Sequence, residues 1–210
     1  MEDTPLAVTP VTLRPRFDPH AEGEPPAASG ELRALPSAVD VRQMSLFGAV
    51  WTAGSLKYLS QGGAHSVTYY ETTGWRGVME RKAGSPLPDL FRSLPGAVFP
   101  LYHVLADAGE YAGGEVVPVL SSDHLAVDGL VMERGGRRRA ILANLTGEPQ
   151  AVRVQGLGAR VRVRSLDERN AEDAMRWPER FRAQEGDLLE TDEGALACEL
   201  MPYGVLRVDG

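Results

Sequence analysis

The chain is short of several things that would place it quickly. It has a single cysteine, Cys198, in 210 residues, so no intrachain disulfide can form. Cys198 sits in the alternating run ALACELM and reads as a small core residue. Basic residues are also scarce, with 22 Lys and Arg against 29 Asp and Glu and a net charge of -7. That balance argues against a nucleic-acid partner, because phosphate contacts need a surplus of Lys and Arg. No run approaches the roughly 20 apolar residues of a membrane span, so no membrane partner is expected. The N-terminus lacks a charged region followed by an apolar core, and the expectation is a non-exported, cytoplasmic protein. The four histidines include no pair at metal-site spacing, so neither a metal nor another cofactor is expected. Gly156 and Gly158 make no dinucleotide fingerprint, because no helical pattern follows them.

What is present falls into two styles. LAVTPVTL, from Leu6 to Leu13, is short, β-branched and mostly apolar, and reads as a strand. Pro15 to Pro36, rich in proline, glycine and glutamate, reads as an extended surface loop. Asp40 or Ser45 can cap a helix whose apolar stripe is Leu46, Phe47, Val50, Trp51, Leu56 and Leu59, ending at Gly62-Gly63. Val67 and its neighbours form a second short strand, and a second helix spans about Ala97 to Tyr111 with a stripe at Leu101, Val104, Leu105 and Ala108. Strand, helix, strand, helix is βαβα, the pattern of parallel strands with crossover helices.

Beyond Gly113 the pattern changes to closely spaced strands: VVPVL, HLAVDGLVME, RRAILANL, QAVRVQGL, ARVRVRSL, ALACELM and GVLRVDG. Turn residues such as Gly135-Gly136 join them, as in an antiparallel β-sandwich. This places a boundary between residues 1–112 and 113–210, and the second segment is expected to keep its own partners and to fold alone. Arg137, Arg138 and Arg139 read as a solvated hairpin face that discourages edge pairing. Asn144-Leu145-Thr146 fits a glycosylation sequon, discounted for a non-exported chain.

Two βα units cannot close a parallel sheet, since each strand keeps an open edge. The runs TPVTLRPRFDP, RQMSLFGAVWTAGSLKYL, SVTYYETTGWRGVME and FPLYHVLADAGEY resemble the C-terminal part of the D-apionate lactonase family. The resemblance implies a fold of mixed α/β and all-β class, in which the last two units of a (β/α)8 TIM barrel precede an antiparallel β-sandwich. It implies hydrolysis of a sugar-acid lactone, with a small carbohydrate lactone or sugar acid as ligand; the open strand edges themselves lead to the expectation of either a barrel-completing companion chain or self-association.

In such a barrel the active site lies at the C-terminal ends of the strands. Glu71 falls there, in SVTYYETTGWRG, and lactone hydrolysis needs a base for water and donors for the oxyanion. Glu71 is the candidate base. Tyr70 and Trp75 are candidate apolar walls and sugar platforms, and Thr72 is a candidate donor to a sugar hydroxyl. Arg14 and Arg16 follow the first strand, where a guanidinium can bind a carboxylate or a lactone carbonyl, or can pin the loop to an acidic neighbour. Retaining glycosidases of this barrel class carry a carboxylate after the seventh strand. VTLRPRF has none before Asp18, which counts against a two-carboxylate glycosidase. The alternatives are a glycosidase-like remnant with other chemistry and a non-catalytic sandwich module for binding or assembly.

Overall fold

The computed structural model describes residues 4–15 and 34–210. The βαβα arm is present. Strand β1 (Leu6–Val11) pairs in parallel with β2 (Ala64–Tyr69), with Val8 opposite Val67 and Val11 opposite Tyr69. Between them in the chain lie a 3-10 turn (Val41–Met44) and helix α1 (Leu46–Gln61). After β2 come two three-residue strands, β3 (Glu71–Thr73) and β4 (Gly77–Met79), and then α2 (Pro100–Gly109). Proline at the first turn of α2 lacks an N–H that would have no helical acceptor there, so it starts the helix at no loss.

Asp40 caps the 3-10 turn, its carboxylate accepting the Arg42 N–H at 2.9 Å. Ser45 stands at the N-cap of α1 without a side-chain cap bond, and its hydroxyl donates instead to the Arg42 carbonyl. The buried residues of α1 are not the expected stripe: they are Gly48, Ala49, Val50, Thr52, Ala53 and Lys57. Small residues face inward because α1 is wedged against α2, β2 and the sheet behind, while Leu46, Trp51 and Leu56 stay half-buried at the flanks.

The second part is an antiparallel six-stranded sheet in the order β10-β9-β12-β7-β6-β5, with a separate pair β11-β8. Its strands are β5 (Glu115–Val117), β6 (Val127–Arg134), β7 (Arg137–Asn144), β8 (Gln150–Gln155), β9 (Arg160–Leu166), β10 (Asp187–Glu190), β11 (Ala195–Leu200) and β12 (Val205–Asp209). Two short helices, α3 (Ala171–Arg176) and α4 (Pro178–Arg182), and strand β10 fall where no element was expected.

Alternation along the strands feeds two cores. Leu130, Met132, Ile141, Ala143, Leu166 and Val205 join Ala49, Val50, Leu101 and Val104 of the helices in one cluster. Ala140, Leu142, Val161, Leu206 and Val208 face Leu196 and Leu200 of β11 in the other, with half-buried Cys198, whose thiol is pushed up by burial, packed beside them. The six-stranded sheet is therefore the middle of three layers. The expectation that residues 113–210 keep all their own partners is corrected: one face of that sheet is completed by α1 and α2.

Charged groups stitch the helical layer to the sheet. Lys57 of α1 pairs with Asp128 of β6, both buried. Asp107 of α2 gathers Arg164, Arg182 and Arg207 at 3.0–3.1 Å. Arg139, read above as solvated, is 5 % exposed, donates to Asp209 at 2.5 Å and Glu110 at 2.6 Å, and lies over the Tyr111 ring. Arg137 and Arg138 of that triplet stay exposed, whereas Arg139, on the face opposite Arg138, reaches the Asp107 carbonyl of α2. Asn144 is fully buried, its amide donating to the carbonyls of Glu148 and Met201, so it is an internal clamp and no glycan acceptor.

Candidate functional site at the strand ends

The parallel pairing puts the C-terminal ends of β1 and β2 side by side, with the Tyr70 N–H donating to the Val11 carbonyl at 3.1 Å. Chain leaving both strands therefore emerges on the same end of the arm. Here the sequence changes from strand formers to ETTGWRG, and the structure shows what that does.

The segment from Glu71 to Met79 folds back on itself. The Glu71 N–H donates to the Arg76 carbonyl at 2.9 Å, Gly77 N–H to Gly74 at 2.8 Å, and Gly74 N–H to Met79 at 2.8 Å. Gly74 takes a positive φ of 86°, and a Cβ on Gly77 would come within 2.8 Å of the Thr73 backbone, so the turn requires both glycines. Gln43 donates to the Gly77 carbonyl at 2.9 Å and the Phe99 N–H to the Val78 carbonyl at 2.8 Å, anchoring the turn on both sides. Tyr70, at φ 49°, is the kink where strand becomes turn, a left-handed conformation rare for a bulky residue and held by its buried surroundings.

On this frame Glu71 forms an ion pair with Arg76 at 2.8 Å, each side chain a little over one third exposed. Thr72 and Thr73 are exposed next to it. Trp75 turns the other way: its indole N–H donates to Ser85 at 2.9 Å and its ring packs 6.4 Å from Phe91. Tyr70 is 4 % exposed, its hydroxyl 2.8 Å from that of Thr52. The structure thus uses Tyr70 for packing against α1, which corrects its reading as a substrate wall. Burial pushes the hydroxyls of Tyr69 and Tyr70 up, so neither titrates near neutrality.

Arg14, half-exposed, reaches Asp40 at 3.5 Å and donates to the Ser37 carbonyl at 3.3 Å. That is the loop-pinning role. Asp40 itself is held at about 2 by its hydrogen bonds from the Arg42 side chain, so it is an anion at any working pH. Arg16 lies outside the described residues. Glu71 and Arg14 therefore share one end of the arm, and the carboxylate expected to be walled by aromatics is instead partnered by an arginine. Arg76 was missed as a site residue; the signal was its place opposite Glu71 across a turn closed by Gly74 and Gly77. Glu80, 1 % exposed and receiving hydrogen bonds from the Arg81 N–H and Ser93, was missed as well, and it braces the far end of β4. Among the described residues, no group of three or more His, Cys, Asp or Glu is placed to hold a metal.

Residues 1–113 match the family of the D-apionate lactonase TIM barrel domain, and residues 124–208 match that of the D-apionate lactonase C-terminal immunoglobulin-like domain. No curated protein matches the sequence significantly. Among solved structures, the fold resembles a glycoside hydrolase family 30 endoxylanase from Clostridium papyrosolvens C71, with TM-score 0.56 and 10% identity. That match covers 80% of this chain and 39% of the endoxylanase. An arabinose-bound family 51 α-L-arabinofuranosidase matches with TM-score 0.58 and 12% identity over 79% of this chain and 27% of that one. A bifunctional glucanase-xylanase from a metagenome library matches with TM-score 0.55 and 13% identity over 80% and 28% of the two chains. The chain thus spans well under half the length of the structures it resembles, and the likeness at this identity is one of fold.

Proposed function

The chain belongs to the D-apionate lactonase family, and from that premise we propose that it is the C-terminal portion of a carbohydrate lactone hydrolase, with Glu71 as the general base. The supporting observation is the placement of Glu71: a carboxylate on a turn anchored on both sides, at the C-terminal ends of adjacent parallel strands, oriented by Arg76 at 2.8 Å. In the proposed reaction Glu71 takes a proton from water as the water oxygen bonds to the lactone carbonyl carbon. Arg14, which also pins the loop at Asp40, and the exposed Thr72 are the candidate donors at this end of the arm for the oxyanion or for sugar hydroxyls. The bond from carbon to ring oxygen then breaks, the proton passes from Glu71 to the departing alkoxide, and the product is an open hydroxy acid. A two-carboxylate glycosidase is the weaker reading, because residues 12–15 beyond β1 supply an arginine and no acid.

The test uses the complete barrel, assembled from this chain and the remaining strand-helix units. It should hydrolyse D-apionolactone and leave aryl glycosides intact. Glu71→Gln should lower turnover by about two to four orders of magnitude with unchanged thermal stability. Unchanged turnover removes Glu71 from the mechanism, and glycoside cleavage overturns the substrate class.

A further inference from the structure

Helices α3 and α4 interrupt the sandwich between β9 and β10, and α3 is too short to satisfy its own backbone. The last four carbonyls of a helix have no partner within it, and in a helix of six residues that is most of them. The arm takes up two. The Ala174 carbonyl accepts from the His103 Nε2–H of α2 at 3.0 Å, and the Met175 carbonyl accepts from the Val98 N–H, just ahead of α2, at 3.1 Å. Ala174 and Met175 are buried there, and the His103 ring packs edge-on against Phe181 of α4 with centroids 4.7 Å apart.

The bond to Val98 reaches beyond α2. Residues 97–99 run alongside β4: the Phe99 N–H donates to the Val78 carbonyl and the Glu80 N–H to the Ala97 carbonyl, both at 2.8 Å, with Val98 opposite Met79. Backbone groups of an extended segment alternate in direction, so Val98 turns its N–H away from β4 and toward α3. The Met79 carbonyl in turn accepts the Gly74 N–H at 2.8 Å, and Glu71 pairs in register with Gly77. A continuous hydrogen-bonded path therefore runs from the sandwich, through residues 97–99 and β4, into the turn that carries Glu71 and Arg76.

We propose that α3 is a positioning element for that turn, seated by His103, so that the sandwich sets where the candidate base stands. Two three-residue strands cannot hold themselves in water, and β3 and β4 draw their order from what borders them. Gln43 borders the turn on one side, and residues 97–99, backed by α3, border it on the other. The consequence for catalysis rests on the reading of Glu71 as the base. The coupling itself does not, so the two can fail separately.

Amide hydrogen exchange in the 210-residue chain reads the coupling alone. Glu172→Gly with Asp173→Gly alters two exposed residues of α3 and leaves both docking carbonyls in place. Lost helix propensity should make α3 open about fivefold more often. The amides of Val98, Phe99, Gly74 and Glu71 should then exchange about fivefold faster as a group, while those of the β6–β7 ladder keep the parent's rates. His103→Leu removes the donor to Ala174 and should speed the same group by at least about tenfold. His103→Gln restores an N–H donor and should return most of the protection. Where His103→Leu does not fold, the surface pair decides. The proposal is overturned if Val98 speeds up while Gly74 and Glu71 do not, if the β6–β7 amides speed up by the same factor, or if none of the group responds. Protection lost equally in His103→Gln and His103→Leu overturns the seating role of His103.

Discussion

Replacing Lys57 by methionine should destabilise this chain by about 3–5 kcal/mol, the range found when one partner of a buried ion pair is removed. The structure makes the argument specific. Lys57 is 4 % exposed and Asp128 3 %, and the ammonium is the carboxylate's only cationic partner among the described residues. With Lys57 gone, Asp128 keeps two neutral donors, the Tyr58 hydroxyl and the Gly129 N–H, both at 2.8 Å. Those donors do not neutralise a charge held away from water. Methionine fills the path of the lysine stem, so lost packing adds little. The second arm of the experiment adds Asp128→Asn, which leaves a neutral group able to use the same donors, and most of the stability should return. Urea unfolding followed by circular dichroism reads the effect: at a slope of about 2–3 kcal/mol/M, a loss of about 4 kcal/mol moves the midpoint by about 1.3–2 M. Because the pair joins α1 to β6, arm and sheet should unfold in one transition by every probe. A single mutant within about 1 kcal/mol of the parent, or a double mutant no better than the single, would refute the claim that a desolvated pair holds the layers together.

A chain beginning at Gly113 should bind hydrophobic dyes and self-associate in light scattering, because Leu130, Met132, Ile141 and Val205 lose the helices that cover them; a monodisperse, cooperatively melting fragment would show that the sheet does not need the arm. Acid should weaken the chain first through His103, which burial drops to about 4 from the usual 6.5 and whose Nε2–H donates to the Ala174 carbonyl at 3.0 Å. A histidine depressed in the folded state favours folding fully above the unfolded value and loses that contribution as pH falls from 6.5 toward 4, so urea midpoints should decline across that window and His103→Gln should flatten the decline. A parent midpoint constant from pH 7 to 4.5 would refute this.

How far the sequence alone reaches is seen residue by residue. The βαβα arm was legible because its signals are local: β-branched runs, an Asp or Ser cap, apolar stripes at helical spacing and glycine stops each act within a few residues. Most sandwich strands were legible from alternation. Strand β10, by contrast, is exposed along its whole length, and α3 and α4 span six and five residues, so none of them buries a repeating face that a pattern can show. Glu71 stood out because a carboxylate follows directly on a strand, whereas Arg76 did not, since its relation to Glu71 exists only once Gly74 and Gly77 close the turn.

The sequence by itself determined that the chain has two parts, a parallel arm and an antiparallel sandwich, and that polar chemistry gathers where the second strand ends; periodicity and turn residues carry that information without reference to anything distant. Only the tertiary structure decided which faces are inside. Tyr70 reads as a site aromatic and is a core residue, and Arg139 reads as solvated and is buried on Tyr111, Glu110 and Asp209. Lys57 is buried where the helical layer meets the sheet. Whether a charge is exposed depends on what packs over it from distant parts of the chain, and for Lys57 and Arg139 that was the contact of helix with sheet, across which the opposite charge makes burial tolerable.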